Sequence, residues 1–317
     1  MTRAGESGLV YVIVVNWNRW AVTLRCVDAV RRSTYEAFRI IVVDNGSDGS
    51  PPSELQAAVE VVETGANLGY AGGNNVGIRL ALSRGASYLW ILNNDALPEP
   101  DALAALVAAA ESDSSWGALT SLIRMPDGSE DGGLIGRLPA GERWDPVRRP
   151  FPIPAAATTE AKVEAIDLLR GPSFLLRTAA LDAVGLFDES YFHYLEEMDL
   201  MERLVRAGWR LGLVRGSVVT HAKGSTLPFG TPQSLYYLYR NHFHFERKLF
   251  GRHPVRVVLR HPVLRLRSML ALRHTLRGDL RPLAAQARAF AHALRGRAGP
   301  VDLGESYLEP MRDDERE

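Results

Sequence analysis

The chain has 317 residues, of which 46% are hydrophobic and 23% charged, and these values fit one large α/β domain with an appendage or two smaller domains. They exclude a disordered chain, a collagen-like chain and a small disulfide-stabilised scaffold. The single cysteine, Cys26, has no partner within the chain, so we expect a reduced, cytoplasmic compartment. The apolar run over residues 9–15 is too short to span a membrane, and no small-residue cleavage site follows it.

The formal net charge of zero is a balance between segments of opposite sign. Residues 1–235 contain 21 Lys and Arg against 28 Asp and Glu, residues 236–297 contain 14 against 2, and the last twenty contain 2 against 7. Segments of opposite charge usually have different roles. We therefore expect an acidic main domain, a basic extension and an acidic tail.

The first third of the chain alternates short apolar runs with helical patterns, which is typical of βαβ units and a mainly parallel sheet. The helix that follows Pro-Glu-Pro is expected to carry acidic side chains in its first turn. Strands are predicted over 9–15, 38–43, 59–63 and 88–92, and helices over 20–32, 71–83 and 101–110.

Gly and Pro are frequent and periodicity is lost over residues 125–159, which predicts a long mobile loop. Regular structure resumes over 165–177, and Thr178 is expected to be the N-cap of a short helix that Gly185 ends. An amphipathic helix over 196–207 and a strand over 211–220 follow, and beyond 233 the pattern is helical and basic.

These patterns predict three regions. They are a main α/β domain over 1–232, whose two parts at about 9–124 and 160–232 are separated by the loop; a helical basic region over 233–300; and a flexible acidic tail over 301–317.

Polar residues cluster where the predicted strands end, and the carboxyl ends of strands form the ligand crevice of open α/β sheets. A further cluster over 67–75 has glycines that allow close approach of the backbone to a ligand and amides that can bind a base or ribose. The clusters are Asn16-Trp17-Asn18, Asp44-Asn45-Gly46-Ser47-Asp48-Gly49, residues 67–75 and Asn93-Asn94-Asp95.

Two of the clusters also have a structural explanation. Asp44 to Ser47 is a common turn sequence, and Asn93 to Asp95 suits the cap of a following helix. Residues 67–75 lack the GxGxxG spacing of a dinucleotide fingerprint, and the chain has no GxxxxGK[ST] loop. The shared position of the clusters at one edge of the sheet favours a binding site.

Together these residues resemble glycosyltransferase family 2, the inverting transferases of GT-A fold, and most closely its rhamnosyltransferase-like branch. The resemblance extends over about residues 9–245 and rests on seven motifs in the order typical of the family. The motifs are 12–18, 42–47, 67–69 with 72–75, 92–95, 185–189, 191–200, and His221 with Gly224 and Ser225.

The resemblance implies an α/β fold of GT-A type, with a mixed, mainly parallel sheet flanked by helices and, in this chain, a helical basic C-terminal extension. It implies that 1–232 is the catalytic domain, with a nucleotide-sugar half at about 9–124 and an acceptor half at about 160–232. It implies metal-dependent, inverting transfer of a sugar, with L-rhamnose as the leading choice. The donor is then a dTDP- or UDP-sugar, and the acceptor is a hydroxyl of a saccharide, a lipid-linked glycan or a small natural product. The expected setting is bacterial cell-wall or polysaccharide biosynthesis.

By this resemblance Asp44 accepts a hydrogen bond from the imide N–H of uracil or thymine. Asp95 keeps the last acid of the family's Asp-x-Asp motif and is expected to bind Mg²⁺ or Mn²⁺ together with His221. The alternative for His221 is a strand-end histidine bonded to backbone. The other implied nucleotide-sugar ligands are Asn16, Asn18, Asn45, Asn67, Gly69, Asn75 and Asn94.

The catalytic base implied by the resemblance is Glu197, with Glu196 and Asp199 as alternatives. A general base must reach the hydroxyl that it deprotonates, and repulsion among neighbouring acids raises the pKa toward the working pH. The structural explanation is that the three carboxylates only offset the positive end of a helix dipole.

Residues 236–297 interleave arginines with aromatic and aliphatic residues, which is typical of helices that bind an anionic membrane surface. The alternatives are electrostatic steering of a diphosphate donor, a homo-oligomer interface and a solvated helical cap. Nucleic acid is not expected because no base-reading motif is present. The expected location is cytoplasmic, including peripheral attachment to the inner face of the cytoplasmic membrane.

Two other functions stay open. One is a GT-A-fold module that has lost catalysis and binds saccharides or proteins. The other is a sugar-nucleotide nucleotidyltransferase, although such enzymes normally begin with a Gly-rich, basic phosphate loop that residues 12–18 lack.

Overall fold

The computed structural model describes residues 8–131, 135–136, 163–169, 171–221, 231–260 and 278–304. These residues form two compact units. The first contains 8–131, 135–136, 163–169, 171–188 and 200–221, and the second contains 189–199, 231–260 and 278–304. Most of the loop predicted over 125–159 lies outside the described residues, as do 261–277, 305–317, Gly224 and Ser225.

The first unit is built on a nine-stranded mixed sheet with the order β3-β2-β1-β4-β10-β6-β11-β5, in which β8 also pairs with β11. The four strands from β3 to β4 are mutually parallel, whereas β10 runs antiparallel between β4 and β6. The strands of this sheet are β1 Val10–Asn16, β2 Phe38–Asp44, β3 Glu60–Glu63, β4 Tyr88–Asn93, β5 Ala96–Pro98, β6 Trp116–Arg124, β8 Glu164–Ile166, β10 Ser173–Arg177 and β11 Arg210–His221. A separate two-stranded sheet consists of β7 Ile135–Gly136 and β9 Leu168–Leu169.

Six helices accompany the sheet and three follow it among the described residues. No described helix is long and apolar enough to cross a bilayer. The helices are α1 Trp20–Val30, α2 Ser53–Ala58, α3 Gly69–Ser83, α4 Ala102–Ser112, α5 Thr178–Val184, α6 Glu196–Arg206, α7 Pro232–Phe250, α8 Pro254–Arg260 and α9 Arg281–Leu294.

Alternating side chains of the strands build a core on each face of the sheet. Ile13 and Ile41 pack in one cluster with residues of α3, α5 and α6. Their neighbours Val12 and Val42 pack in a second cluster with residues of α1, α2 and α4. Because successive side chains of a strand point to opposite faces, both faces of the sheet are covered by helices, as the near-continuous apolar runs predict.

Two glycines bring α3 close to β1. A Cβ on Gly73 would lie 2.9 Å from Cγ1 of Val15, and a Cβ on Gly77 would lie 2.7 Å from Cγ2 of Ile13. Any side chain at these positions would push the helix off the sheet. The sequence predicts that the glycines over 67–75 let a ligand approach the backbone closely. At Gly73 the absence of a side chain instead allows α3 to pack closely on the sheet.

Several local predictions are corrected. β5, not a helix, follows Asp95, so a helix-capping role for Asn93 to Asp95 is wrong. α4 has no acid in its first turn because it begins after Asp101. Thr178 is the first residue of α5 rather than its cap, and its hydroxyl donates to the carbonyl of Ser87 at 3.0 Å. The helix α2 and the strand β6 add to the predicted elements.

The second unit is a helical assembly around an aromatic core. Tyr236, Tyr237 and Phe243 of α7 are buried in one cluster with residues of α8 and α9. α7 begins at a cap in which Thr231 Oγ1 accepts from the N–H of Ser234 at 3.1 Å, and it ends at Gly251, whose φ is +65°. The prediction of helices in the C-terminal region is thus confirmed where this region is described.

Candidate active site

Three predicted site segments meet at the carboxyl ends of adjacent parallel strands in the first unit. Asn16 at the end of β1 is in register with Asp44 at the end of β2, and Val15 is in register with Asn93 of β4. The N–H of Asn45 donates to the carbonyl of Asn16 at 2.8 Å. The order of the strands therefore brings polar segments that lie far apart in the sequence to one edge.

A buried chain of hydrogen bonds joins these strand ends. The hydroxyl of Ser47 donates to Oδ1 of Asp44 at 2.5 Å and accepts from Nδ2 of Asn16 at 3.1 Å. The hydroxyl of Thr23 donates to Oδ1 of Asn16 at 2.7 Å and accepts from Nδ2 of Asn94 at 3.1 Å. Asn94 is therefore linked through Thr23 to Asn16, and Asn16 through Ser47 to Asp44. This chain of contacts positions the carboxylate of Asp44.

Asp44 keeps one carboxylate oxygen available. The residue is 6% exposed, and Ser47 bonds its Oδ1 through both the hydroxyl and the N–H, the latter at 3.1 Å. Its Oδ2 accepts no hydrogen bond from any part of the chain that the structure describes. A carboxylate oxygen held in this way suits a donor such as the imide N–H of a pyrimidine, because hydrogen bonds to charged acceptors are the strong ones.

The side chain of Asn18 ties the loop after β1 to the loop after β2. Its Nδ2 donates to Oδ2 of Asp48 at 3.0 Å, and its Oδ1 accepts from the N–H of Asp48 at 2.8 Å. Asn18 has a φ of +55°, a left-handed conformation that asparagine tolerates better than most residues. Both polar ends of this amide are therefore used to shape the edge of the site.

Asn45, Asn67 and Gly69 form a second local network. Nδ2 of Asn45 donates to Oδ1 of Asn67 at 3.2 Å and to the carbonyl of Gly69 at 3.0 Å. Oδ1 of Asn67 in turn accepts from the N–H of Gly69 at 2.8 Å. These contacts hold the start of α3 against the turn that carries Asp44.

Asn75 has contacts separate from the network around Asp44. Its Nδ2 donates to the carbonyl of Phe187 at 2.9 Å, and its Oδ1 accepts from the N–H of the same residue at 3.1 Å. The side chain is 1% exposed. These bonds give Asn75 a scaffolding role between α3 and the segment after α5.

Asp95 and His221 face each other at a second point of the first unit. His221 ends β11 and is paired in register with Ala96, the residue after Asp95. Nε2 of His221 lies 3.1 Å from Oδ1 of Asp95, and Nδ1 is buried without a partner among the described residues. The described contact of the ring is therefore to a carboxylate, and a histidine bonded to backbone is not what the structure shows.

This pair offers two of the ligand types that a divalent cation accepts. A carboxylate oxygen and an imidazole nitrogen lie 3.1 Å apart, with side chains 11% and 14% exposed. No group of three potential His, Cys, Asp or Glu ligands occurs in the described ranges, so a cation bound here would need further ligands from outside them. A mixed nitrogen and oxygen set favours Mn²⁺ over Mg²⁺.

Cys26 lies near the strand end that leads to Asp95. Its thiol is buried, 3.5 Å from the carbonyl of Asn93. Burial, reinforced by the negative charge of Asp95, raises the pKa of this thiol well above its usual range.

The three predicted candidates for the base lie in the first turn of α6, within the second unit. Glu196 is 2% exposed, and its burial, together with the charge of Glu197, raises its pKa well above the usual range. Asp199 is fully buried and accepts from Nζ of Lys248 at 2.7 Å and from the hydroxyl of Tyr191 at 3.2 Å. Glu197 is the partly exposed member of the three.

The loop before these acids has an uncommon backbone. Its left-handed residues are Phe192, Tyr194 and Leu195, with φ of +65°, +69° and +74°. Each such conformation costs about 1 to 3 kcal/mol for a residue other than glycine and persists only where the surroundings hold it. The loop that precedes the first turn of α6 therefore needs contacts with other residues to keep its conformation.

Two buried residues of α7 supply this support. Nδ2 of Asn241 lies 2.6 Å from the carbonyl of His193 and 2.9 Å from that of Tyr191. The guanidinium of Arg240 donates to the carbonyl of Tyr191 at 2.8 Å. Arg240 and Asn241 are 1% and 0% exposed, so both have a structural role in holding the loop.

Sequence reasoning missed five of these participants. Ser47 belongs to the quoted turn motif, and that motif is the signal that points to it. The other four have no such signal, because they lie within helices and each has a partner distant in sequence; they are Thr23, Arg240, Asn241 and Lys248. Lys248 in particular was assigned to a basic surface, whereas the structure pairs it with Asp199.

Comparisons with known proteins agree with this architecture. A family model described as "Glycosyl transferase family 2" matches residues 11–153. An N-acetylglucosaminyl-diphospho-decaprenol L-rhamnosyltransferase of Mycobacterium tuberculosis is 31% identical over an alignment of 299 residues that covers 85% of this chain and 95% of that protein. The galactofuranosyltransferase GlfT1 of the same species is 29% identical over 222 residues, covering 68% of this chain and 71% of GlfT1.

A solved structure shares the fold. The crystal structure of GalNAc-T7 with UDP, GalNAc and Mn²⁺ matches with a TM-score of 0.55 at 15% identity, over 81% of this chain and 59% of that chain. Likeness at this identity shows the fold alone, and the fold is the GT-A fold that the sequence predicts. With this fold and a relative 31% identical over 95% of its length, the chain belongs to glycosyltransferase family 2.

Proposed function

We propose that this glycosyltransferase moves L-rhamnose from dTDP-L-rhamnose to a hydroxyl of a saccharide linked to a lipid diphosphate, with inversion at the anomeric carbon. The observation that carries the choice of sugar and acceptor is the match to nearly the whole length of an N-acetylglucosaminyl-diphospho-decaprenol L-rhamnosyltransferase. Family membership argues against the nucleotidyltransferase alternative. A catalytically inactive binding module stays the competing function.

Asp44 is the proposed contact to the nucleotide base. Its Oδ2 accepts no hydrogen bond from the described residues, whereas Oδ1 accepts two from Ser47. Thymine and uracil both present an imide N–H between two carbonyls, whereas adenine has no such donor. The carboxylate therefore favours a pyrimidine, and the preference for dTDP over UDP rests on the relative.

Asp95 and His221 are the proposed protein ligands of a divalent cation. They offer one oxygen and one nitrogen that face each other at 3.1 Å. A bound Mg²⁺ or Mn²⁺ would stabilise the negative charge that develops on the departing diphosphate.

Glu197 is the proposed general base. It takes the proton from the acceptor hydroxyl while that oxygen attacks the anomeric carbon from the face opposite the leaving nucleotide, so the configuration inverts. Its neighbours are less accessible to an acceptor: Glu196 is 2% exposed, and the fully buried Asp199 is paired with Lys248. A base must hold an available lone pair within reach of the hydroxyl.

The second unit is the proposed membrane-facing part. Leucines with large exposed fractions occur on α8 and beside α9, at Leu259 (68%) and Leu280 (64%), and Arg256 is exposed nearby in the sequence. Exposed apolar side chains among arginines suit the headgroup region of an anionic bilayer. Peripheral attachment at the cytoplasmic face would bring the enzyme to a lipid-linked acceptor.

A flotation experiment tests the membrane proposal. The full chain should float with phosphatidylglycerol vesicles, and the double variant Leu259→Ser with Leu280→Ser should float less. Leu97→Ser removes a leucine of the first unit that is 39% exposed and serves as the matched control. Equal flotation of all three proteins would reject attachment through these leucines, and a change of oligomeric state in the double variant would favour a subunit interface instead.

An activity assay with product analysis tests the proposed reaction. The purified chain is incubated with Mn²⁺, an N-acetylglucosaminyl-diphospho-lipid acceptor and, separately, dTDP-L-rhamnose or a panel of UDP-sugars. Rhamnosyl transfer with inverted anomeric configuration in the NMR spectrum of the product is the expected result. Transfer from UDP-sugars alone would overturn the donor, a retained configuration would overturn the mechanism, and binding of saccharide without transfer would establish the inactive module.

A further inference from the structure

A cavity of about 260 Å³ lies within the second unit and is lined chiefly by basic residues. Its walls come from α7, from the end of α9 and from the segment after α9. The basic lining residues are Arg240, His244, Arg247, Lys248 and Arg297. The proposed reaction above makes no use of this concentration of positive charge.

Arg240 is a buried cation without an anionic partner among the described residues. The residue is 1% exposed, and its guanidinium donates to Oδ1 of Asn241 at 2.6 Å and to the carbonyls of Tyr191, Ser190 and Gly299. All these acceptors are neutral. A buried charge is costly unless an opposite charge compensates it, so this wall of the cavity favours an anion.

Arg247 and Arg297 bring further positive charge to the same cavity. Both are exposed, and neither pairs with a carboxylate within the described segments. A Cβ on Gly296 would lie 3.6 Å from Nη1 of Arg247, so the guanidinium passes beside the residue that precedes Arg297. Lys248 is different, because it pairs with Asp199.

The pKa values of Arg240 and His292 are lowered in part by the positive charges around this cavity. Burial lowers the pKa of Arg240, and the positive charge of Arg297 lowers it further. Burial also lowers the pKa of His292, as do the charges of Arg297 and Arg288. Arg297 is therefore close enough to both Arg240 and His292 to disfavour their charged forms.

We propose that this cavity binds a phosphate or diphosphate group. Guanidinium forks match phosphate oxygens in geometry and charge. The volume is below the range of about 300 to 1,000 Å³ that is usual for drug-sized ligands, so it suits a charged group rather than a whole nucleotide sugar. Resting on the proposed function, the occupant is the diphosphate of the lipid-linked acceptor.

Calorimetry on the full chain tests the site directly. Inorganic pyrophosphate is titrated into the protein in EDTA and saturating dTDP, which remove binding at the donor site. The double variant Arg247→Gln with Arg297→Gln should bind pyrophosphate at least tenfold more weakly than the wild type. Arg295→Gln, an exposed arginine outside the cavity lining, is the matched control and should bind unchanged.

Two results would overturn the site. They are unchanged pyrophosphate affinity in the double variant, and loss of wild-type binding when dTDP is added, which would place the anion at the donor site. Circular dichroism of both variants checks that the exposed substitutions leave the fold intact. This binding measurement does not depend on catalysis, so absence of rhamnosyl transfer would reject the proposed function without rejecting the phosphate site.

Kinetics and vesicle binding then identify the source of the phosphate. In the double variant the KM for the lipid-linked acceptor should rise about tenfold, while the KM for the donor stays the same. Unchanged acceptor KM with weaker flotation on phosphatidylglycerol vesicles would assign the cavity to a phospholipid headgroup and overturn the acceptor as its occupant.

Discussion

Nζ of Lys248 lies 2.7 Å from Oδ1 of Asp199, a carboxylate that is fully buried in the first turn of α6. The hydroxyl of Tyr191 donates to the same oxygen at 3.2 Å. A residue of the basic region thus balances one of the acids beside the proposed catalytic base. Part of the positive charge of α7 therefore has a structural role: within the second unit it stabilises the acidic first turn of α6.

Replacing Lys248 with methionine should destabilise the protein because it leaves Asp199 buried without its cation. Removing one partner of a buried ion pair costs about 3 to 5 kcal/mol, and we expect the lower end because 30% of the lysine side chain is exposed. Urea unfolding measures the change. Arg256→Met, an exposed position on α8, is the control, and the double variant Lys248→Met with Asp199→Asn should recover much of the loss. Equal stability of the single variant and the wild type would show that the pair contributes nothing.

The stability difference between Glu196→Gln and the wild type should depend on pH. Burial and the charge of Glu197 raise the pKa of Glu196 above the value of about 4.3 expected in the unfolded chain. As pH rises past that value, the unfolded state releases the proton first, so the wild type loses stability until the pH reaches the folded pKa. The glutamine has no proton to release, and its relative stability should therefore increase from pH 4 towards pH 8.

Urea unfolding at pH 4, 6 and 8 measures this dependence. Glu111→Gln changes an exposed glutamate of α4 and should show a nearly constant difference over the same range. A constant difference for Glu196→Gln as well would mean that this carboxyl ionises normally in the folded protein.

The variant Glu197→Gln should lose transfer while it keeps donor binding. An amide of the same shape cannot accept the proton of the acceptor hydroxyl, and general-base catalysis contributes about 10²- to 10⁴-fold to the rate. We expect kcat to fall by that factor and the Kd for the dTDP-sugar, measured by calorimetry, to stay the same. Glu202→Gln on the same helix is the control. Full activity of Glu197→Gln would move the role of base to Glu196 or Asp199.

The variant Asp44→Asn should bind the pyrimidine nucleotide more weakly. Hydrogen bonds to charged groups contribute about 1.5 to 3 kcal/mol, which corresponds to about 10- to 100-fold in Kd. Calorimetry with dTDP measures the effect. Asp48→Asn changes the carboxylate that contacts Asn18 and should have a smaller effect. Equal dTDP affinity in Asp44→Asn and the wild type would exclude this carboxylate as the base contact.

Removing either proposed cation ligand should weaken Mn²⁺ binding. The variants Asp95→Ala and His221→Ala each leave a single protein ligand, so the Mn²⁺ signal in electron paramagnetic resonance should show free ion at concentrations where the wild type with dTDP binds it. Activity should fall in parallel. Asp101→Ala, beside the start of α4, is the control. Unchanged Mn²⁺ binding in both variants would place the cation elsewhere.

The alternation of strands and helices, the edge of the sheet where the polar segments meet, and the family can all be predicted from the amino-acid sequence. Hydrophobic periodicity and turn chemistry are local, so neighbours within a few residues carry the information. The motifs that contain Asp44 and Asp95 are likewise contiguous. The order of residues along the chain is sufficient to predict these features.

The tertiary structure alone decided which polar side chains are scaffold and which stay available. Thr23 and Asn94 are 71 residues apart, and Lys248 meets Asp199 from a different helix. The insertion of β10 between β4 and β6 is equally non-local. Such contacts depend on how the chain returns on itself, because hydrogen bonds and buried charges are satisfied in space rather than along the sequence.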